Sequence, residues 1–89
     1  MARKERVTRV IDGDTFETAR RKRPIRLANV DAPEKGTRGG AAATKALKSM
    51  IEGETVSVDT VARDVYGRSV AKVKLGRRSV NKAVKDRLK

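Results

Sequence analysis

The stretch Asn29-Val30-Asp31-Ala32-Pro33-Glu34 divides this chain. Pro33 fixes its own φ, has no amide hydrogen and pushes Ala32 toward an extended backbone, so no helix passes through this point. The apolar run Ile25 to Val30 therefore reads as a strand that ends here. The two carboxylates flanking the proline, Asp31 and Glu34, leave on a bent segment rather than along one helical face. A second acidic element, Asp12-Gly13-Asp14-Thr15, lies upstream. The background is strongly basic, with 23 Lys+Arg against 11 Asp+Glu and a formal charge of +12. Carboxylates gathered into two short motifs within such a background point to a site rather than to a solvated face.

The rest of the chain falls into order around this break. Val7 to Ile11 reads as a first strand, and Asp12-Gly13 is a hairpin signal between apolar runs. Thr15 to Thr18 returns as a second strand, and Arg20-Arg21-Lys22-Arg23 forms a basic turn before Pro24 and the third strand. Lys35 to Gly40 reads as a glycine-bearing loop. Ala43, Ala46, Leu47, Met50 and Ile51 then recur at helical spacing, and Gly53 ends that helix. The stripe is expected to pack on the strands carrying Ile25, Leu27, Val56, Val58 and Val73. Thr55 to Asp59 alternates as a fourth strand, Val61 to Asp64 reads as a charged connection, and Tyr66-Gly67-Arg68 enters a fifth strand. Gly76-Arg77-Arg78 turns, and Ser79 caps a short helix in which Val80, Ala83, Val84 and Leu88 share a face. The order β-β-β-α-β-β-α matches a mainly β fold with helices, a five-stranded OB-type Greek-key barrel formed by one domain over residues 1–89. A plain antiparallel sheet with helices on one face fits the same pattern.

Composition limits the chemistry. At 89 residues, 37% apolar and only 2% aromatic, the core must be modest and built from Val, Ile, Leu and Ala. A charge of +12 favours polyanions, nucleic acid before anionic membrane. No stretch is apolar enough to cross a bilayer, and no signal peptide follows Met1, so a cytoplasmic monomer is expected. With no cysteine there is no disulfide, thiolate site or thiol nucleophile. With no histidine the commonest general base is missing, and any metal must be a hard cation held by oxygen.

Asp14 and Asp31 each stand near a strand end, 17 positions apart. Neighbouring strand ends meet in a closed barrel, so the pair could share one cation. Spacing alone favours the plainer reading, in which Asp12 and Asp14 make a turn and Asp31 ends a strand. Two arginines change the balance. Arg26 lies inside an apolar strand, where an unpaired charge is costly, and Arg68 follows Tyr66-Gly67 at a strand start. A guanidinium grips phosphate oxygens in a bidentate way, although internal pairing with carboxylates accounts for such arginines too. Together these are the components of metal-assisted phosphodiester cleavage.

Val10-Ile11-Asp12-Gly13-Asp14-Thr15, Ile25-Arg26-Leu27, Val30-Asp31-Ala32-Pro33-Glu34, Asp64-Val65-Tyr66-Gly67-Arg68 and Ser79-Val80-Asn81 resemble, in order and spacing, the successive motifs of the staphylococcal nuclease (thermonuclease) family. The resemblance implies that Asp14 and Asp31 are calcium ligands through their carboxylates and Ala32 through its carbonyl. It implies that Glu34 positions or deprotonates the attacking water, and that Arg26 and Arg68 hold the scissile phosphate, with Tyr66 beside it. Asp12 would act only behind Asp14. It further implies a calcium-dependent hydrolase of single-stranded DNA and RNA, with little sugar or sequence specificity, that leaves 3′-phosphate products. A nuclease-like barrel that binds nucleic acid without cleaving it is the rival expectation. The chain departs from the family in ending at Lys89, so the expected barrel lacks the long C-terminal helix and its aromatic residues. Its Lys35 to Gly40 loop is also shorter. With Tyr66 and Phe16 the only aromatics, base stacking is expected to be weak.

Overall fold

Short alternating segments build a sheet that curls until its ends meet. The computed structural model describes residues 2–33 and 36–87. Its elements are β1 (Arg3–Asp12), β2 (Thr15–Thr18), β3 (Ile25–Leu27), α1 (Arg38–Ile51), β4 (Thr55–Arg63), β5 (Ser69–Leu75), β6 (Arg78–Ser79) and α2 (Val80–Arg87). Strand β1 is long because it serves two neighbours. Its start, Arg3 to Arg6, pairs antiparallel with Val58 to Thr55 of β4, and its end, Val7 to Asp12, pairs with Thr18 to Thr15 of β2. The sheet order is β3-β2-β1-β4-β5-β6, and a parallel pairing of Ile25 to Leu27 with Ser69 to Ala71 joins β3 to β5. That pairing closes a five-stranded barrel, the OB-like alternative of the sequence reading, and β6 folds back as a two-residue antiparallel strand on the end of β5. Closure leaves β3 with no unpaired edge where it meets β5.

Inward positions carry the core. Val7, Val10, Phe16, Ile25, Leu27, Val56, Val58, Ala71 and Val73 fill the barrel, and Leu47 and Ile51 of α1 with Val80 and Val84 of α2 close it off. Leu88, expected on the α2 face, lies outside the described residues. Helix α1 lies over β1 and against α2, and its Leu47 and Ile51 share one core cluster with Ile25, Leu27, Val56, Val58 and Val73, as expected. Its exit ties it to β1: Gly53 donates to the Val7 carbonyl, Val7 donates to the Glu54 carbonyl, and the Glu52 carboxylate accepts from the Val10 amide. Gly53 has φ +83°, as a residue following a helix in the left-handed region does. No helix among the described residues is long and apolar enough to cross a membrane.

Four element boundaries differ from expectation. Strand β3 stops at Leu27 and not at Val30, because the chain turns at Ala28-Asn29, where Asn29 takes φ +60°, before Pro33 is reached. Helix α1 begins at Arg38, inside the expected loop, because Thr37 accepts from the Gly40 amide as an N-cap. Strand β4 runs to Arg63, through the expected connection. A register shift between Thr60 and Ala62 absorbs Val61, which turns to solvent, so the apolar alternation that marks a strand is broken there. Strand β1 starts at Arg3, four residues early, within a charged segment.

Glu5 explains that early start. It points inward with Val7 and is only 2% exposed. Arg21 reaches it from the β2–β3 turn with Nε and Nη2 at 2.7–3.0 Å, and the Thr18 hydroxyl donates at 2.8 Å. Arg21 also donates from Nη1 to Ser69 and Thr60. The basic turn is therefore not wholly a solvated tip, since Arg21 seals part of the barrel. Burial pushes the Glu5 carboxyl up, but the Arg21 and Thr18 hydrogen bonds and the Arg21 charge outweigh it, and the net shift is downward.

Two outcomes follow from this packing. Leu47→Ala removes a fully buried side chain and should lower stability by ~2–5 kcal/mol in urea unfolding. Glu5, held below its ordinary value of 4.5, adds stability that is present above that value and is lost as pH falls through its folded pKa. Glu5→Gln should therefore flatten the acid limb of the stability profile; parallel profiles for the two proteins would show that the ion pair carries none of it.

Candidate active site

The acidic turn is positioned by a steric fit. Asp12 pairs with Thr15 across the β1–β2 hairpin, so Gly13 and Asp14 form its tip. Gly13 has no positive φ; a Cβ there would come within 2.5 Å of the Ala43 Cβ and 2.8 Å of the Ala32 Cβ. The hairpin signal was right, but the glycine is needed for close approach to α1 and to the segment after β3. Asp12 Oδ1 accepts from the Asp14 amide at 3.1 Å, which fixes the turn.

That approach brings Asp14 to the segment carrying Asp31. Asp14 Oδ1 accepts from the Thr15 hydroxyl at 2.8 Å, and Oδ2 accepts from the Ala32 amide at 3.2 Å. Arg26 connects the two carboxylates. Its Nη2 donates to Asp31 Oδ1 at 2.8 Å and to the Val30 carbonyl at 3.0 Å, and lies 3.6 Å from Asp14 Oδ2. Asn29 adopts φ +60°, which turns the chain so that Val30 goes into the core while the Asp31 side chain is 99% exposed. Asp14, Arg26, Asp31 and Ala32 thus converge from three segments. Glu34 lies outside the described residues.

The electrostatics of the cluster are unbalanced. Burial pushes the Asp14 carboxyl up, and its hydrogen bond and repulsion with Asp12 push the same way; Thr15 and Ala32 offset only part of this. A positive charge beside Asp14 favours its ionised form. Among the described residues no group of three His, Cys, Asp or Glu side chains comes together. The side chains that could hold a cation here offer carboxylate oxygens only, those of Asp14 and Asp31, with Ala32 meeting Asp14 through its amide and Arg26 Nη2 already between the two carboxylates as a cationic group. Such a set fits a hard cation and not a thiophilic or imidazole-seeking one.

Arg68 stands apart from this cluster in its hydrogen bonds. Its Nε donates to Asp64 Oδ2 at 2.6 Å, its amide donates to Asp64 Oδ1 at 2.9 Å, and its guanidinium carbon lies 5.3 Å from the centre of the Tyr66 ring. Asp64 also accepts from the Tyr66 amide, so one carboxylate shapes the loop and aims its arginine. The sequence reading gave Asp64 no role; its Asp-x-x-Gly spacing before Arg68 was the available signal. Burial raises the Asp64 carboxyl, but the Arg68 amide, guanidinium and charge bring it below its ordinary value. Ile25, Leu27, Ser69 and Ala71 point inward, so Arg26, paired with Val70, faces outward, and Arg68 directly precedes β5. Asn81, quoted in a motif without a role, is structural. Its Nδ2 donates to the Ala28 and Ala71 carbonyls and its Oδ1 accepts from the Val73 amide.

A barrel of this topology with acidic and arginine residues at these positions has clear relatives. The family model for staphylococcal nuclease homologues matches residues 24–86, and the chain belongs to that family. It is 47% identical over 70 residues to a protein of Escherichia coli named as an uncharacterized endonuclease, covering 76% of this chain and 46% of that one. It is 36% identical over 69 residues to a micrococcal nuclease of Shigella flexneri, covering 75% of this chain and 40% of that one. An uncharacterized endonuclease of Haemophilus influenzae is 30% identical over 79 residues, 85% of this chain and 44% of its own. The chain spans less than half the length of these relatives.

If Asp64 holds the loop, Asp64→Ala should speed hydrogen exchange at the Tyr66 and Arg68 amides while leaving β1 and β2 amides unchanged. Unaltered exchange at residues 66 and 68 would show that the loop is fixed by other contacts.

Proposed function

We propose that this chain is a calcium-dependent nuclease that hydrolyses phosphodiester bonds of DNA and RNA, preferring single strands and leaving 3′-phosphate ends. The observation that carries this reading is the convergence of Asp14 and Asp31 on Arg26, with Ala32 bonded to Asp14. Family membership and the relatives' names support it.

The roles follow from chemistry. Asp14, Asp31 and the Ala32 carbonyl would hold the calcium, a cation that tolerates irregular oxygen cages. When bound, it supplies charge that offsets the phosphate oxygens in the transition state. Arg26 holds the scissile phosphate from the acidic side. Arg68, fixed through Nε by Asp64, presents its Nη edge to the same phosphate, and Tyr66 lies beside it. Glu34 accepts a proton from the attacking water as the water oxygen bonds to phosphorus. The bond to the 5′-oxygen breaks, and that oxygen leaves with a proton from solvent. The arginines remain protonated throughout, so they contribute charge and not acid catalysis.

Single-turnover cleavage of a labelled single strand, with calcium and then with chelator, tests this. Glu34→Gln should leave calcium and strand binding intact and slow cleavage by about 10²–10⁴-fold. Asp14→Asn and Asp31→Asn should weaken calcium binding and cleavage together, and Arg68→Lys should damage turnover because it keeps the charge but loses the fork. Equal rates for Glu34→Gln and the parent would remove Glu34 from the mechanism. Absence of calcium-dependent cleavage by the folded parent would leave a barrel that binds nucleic acid without cutting it.

A further inference from the structure

A cleft of about 340 Å³ lies between the outer face of β5 and helix α2. Its cationic walls are Lys72 and Lys74 of β5 and Lys82 and Lys85 of α2, all exposed at the surface. Among the described residues no carboxylate lines it; Asp59, the cross-strand neighbour of Lys72, stands on β4 outside the cleft. Asp59 opposite Lys72 and Asp86, four residues from Lys82, stand at its margins, so four lysines face two carboxylates and the surplus positive charge favours an anion.

Two features connect it to the acidic cluster. Alternate residues of a strand share a face, so Val70, Lys72 and Lys74 follow one another along the outer face of β5, Arg26 stands opposite Val70, and Arg68 directly precedes the strand. At the other side the cleft is lined by Asn29, two residues before Asp31. The cleft therefore begins two residues along β5 from the position that faces Arg26, and its Asn29 wall lies two residues before Asp31. Its chemistry also limits what it can read. Asn81, at its floor, spends its amide on the Ala28, Ala71 and Val73 backbone, and no aromatic side chain lines the walls. Lysine ammonium groups are point charges that recognise phosphate and not base edges.

We propose that the Lys72–Lys74–Lys82–Lys85 cleft is a track for the sugar–phosphate backbone of the strand held at Arg26 and Arg68, a second contact region that favours long strands over short ones regardless of sequence. It rests on the reading of the acidic cluster as a nuclease site, but its test does not.

Binding of labelled oligothymidylates of about four and about twelve nucleotides is measured by anisotropy in chelator across a salt series. The parent is compared with a variant carrying Lys72→Gln, Lys74→Gln, Lys82→Gln and Lys85→Gln, and with a control of equal charge carrying Arg20→Gln, Lys22→Gln, Lys45→Gln and Arg63→Gln. The cleft variant should lose the advantage of the longer strand, at least about tenfold at low salt, with a log–log slope shallower by roughly 0.7 for each lysine that meets a phosphate. With calcium it should still cleave a dinucleotide, which reaches no further than the arginines, at the parent's rate. An unchanged slope, or a loss no greater than the control's, overturns the track. Should the fourfold variant not fold, Lys72→Gln and Lys85→Gln singly decide the matter, since each must remove part of the slope. A parent that cleaves neither substrate sinks the nuclease reading, while the salt slopes still decide the cleft.

Discussion

The parallel contact between β3 and β5 is the constraint on which the rest depends. Only three residues of β3 take part, Ile25 to Leu27, yet they turn an open sheet into a barrel. Without this pair Ile25, Leu27 and Ala71, all fully buried, would lose one wall of the core. So short a ladder needs help, and it comes from one side chain. Asn81 bonds the Ala28 and Ala71 carbonyls and the Val73 amide, tying helix α2 across the seam, and the Ala28 amide adds a bond to the Ala71 carbonyl. The same seam sets Arg26 beside the strand that follows Arg68. Closure of the barrel therefore fixes Arg26 opposite Val70, two residues after Arg68.

Two carboxylates at opposite ends of β1 show how similar residues are put to different use. Glu5 is surrounded by donors: Arg21 through two nitrogens, and Thr18. Its charge is fully met within the fold, and its pKa falls. Asp14 has its arginine only at 3.6 Å and Asp12 as an acidic neighbour, and its pKa rises. The first arrangement is finished as it stands and holds the barrel together. The second leaves negative charge underprovided, the condition in which a carboxylate engages something from outside the chain.

Much of this was legible in the sequence because the signals were local. Asp12-Gly13, Gly53 and the Leu47–Ile51 stripe each act within a turn or two, and each marks its element correctly, whereas β3 ends at Leu27, before Pro33 can act on it. The residue types of the Asp14, Arg26 and Asp31 group were legible, but spacing alone favoured a plain turn and strand end, and the resemblance tipped the balance; their contact is made by the β2–β3 pairing of Thr15 with Arg26 and by the turn after β3. What stayed hidden depends on partners far along the chain. Glu5 sits in a charged segment that reads as solvent-facing until Arg21, 16 residues later, is placed against it. The end of β4 lacked the apolar alternation of a strand because the shift at Val61 turns that residue outward. The demand for glycine at 13 stayed hidden for a related reason: the turn is local, but the crowding that requires glycine comes from Ala32 and Ala43.

That crowding makes the helix and the acidic turn a single mechanical unit. Positions 13, 32 and 43 share one small volume filled by a hydrogen and two methyl groups. Enlarging any of them pushes α1, the hairpin tip and the segment before Pro33 apart together, and a second enlargement would then meet space already opened by the first. Substitutions at these sites are therefore expected to combine non-additively, unlike those at separated positions. Mutational tolerance around the acidic cluster is set by the joint size of these residues, so helix α1, which supplies no charged group to the cluster, still governs how closely its carboxylates can meet.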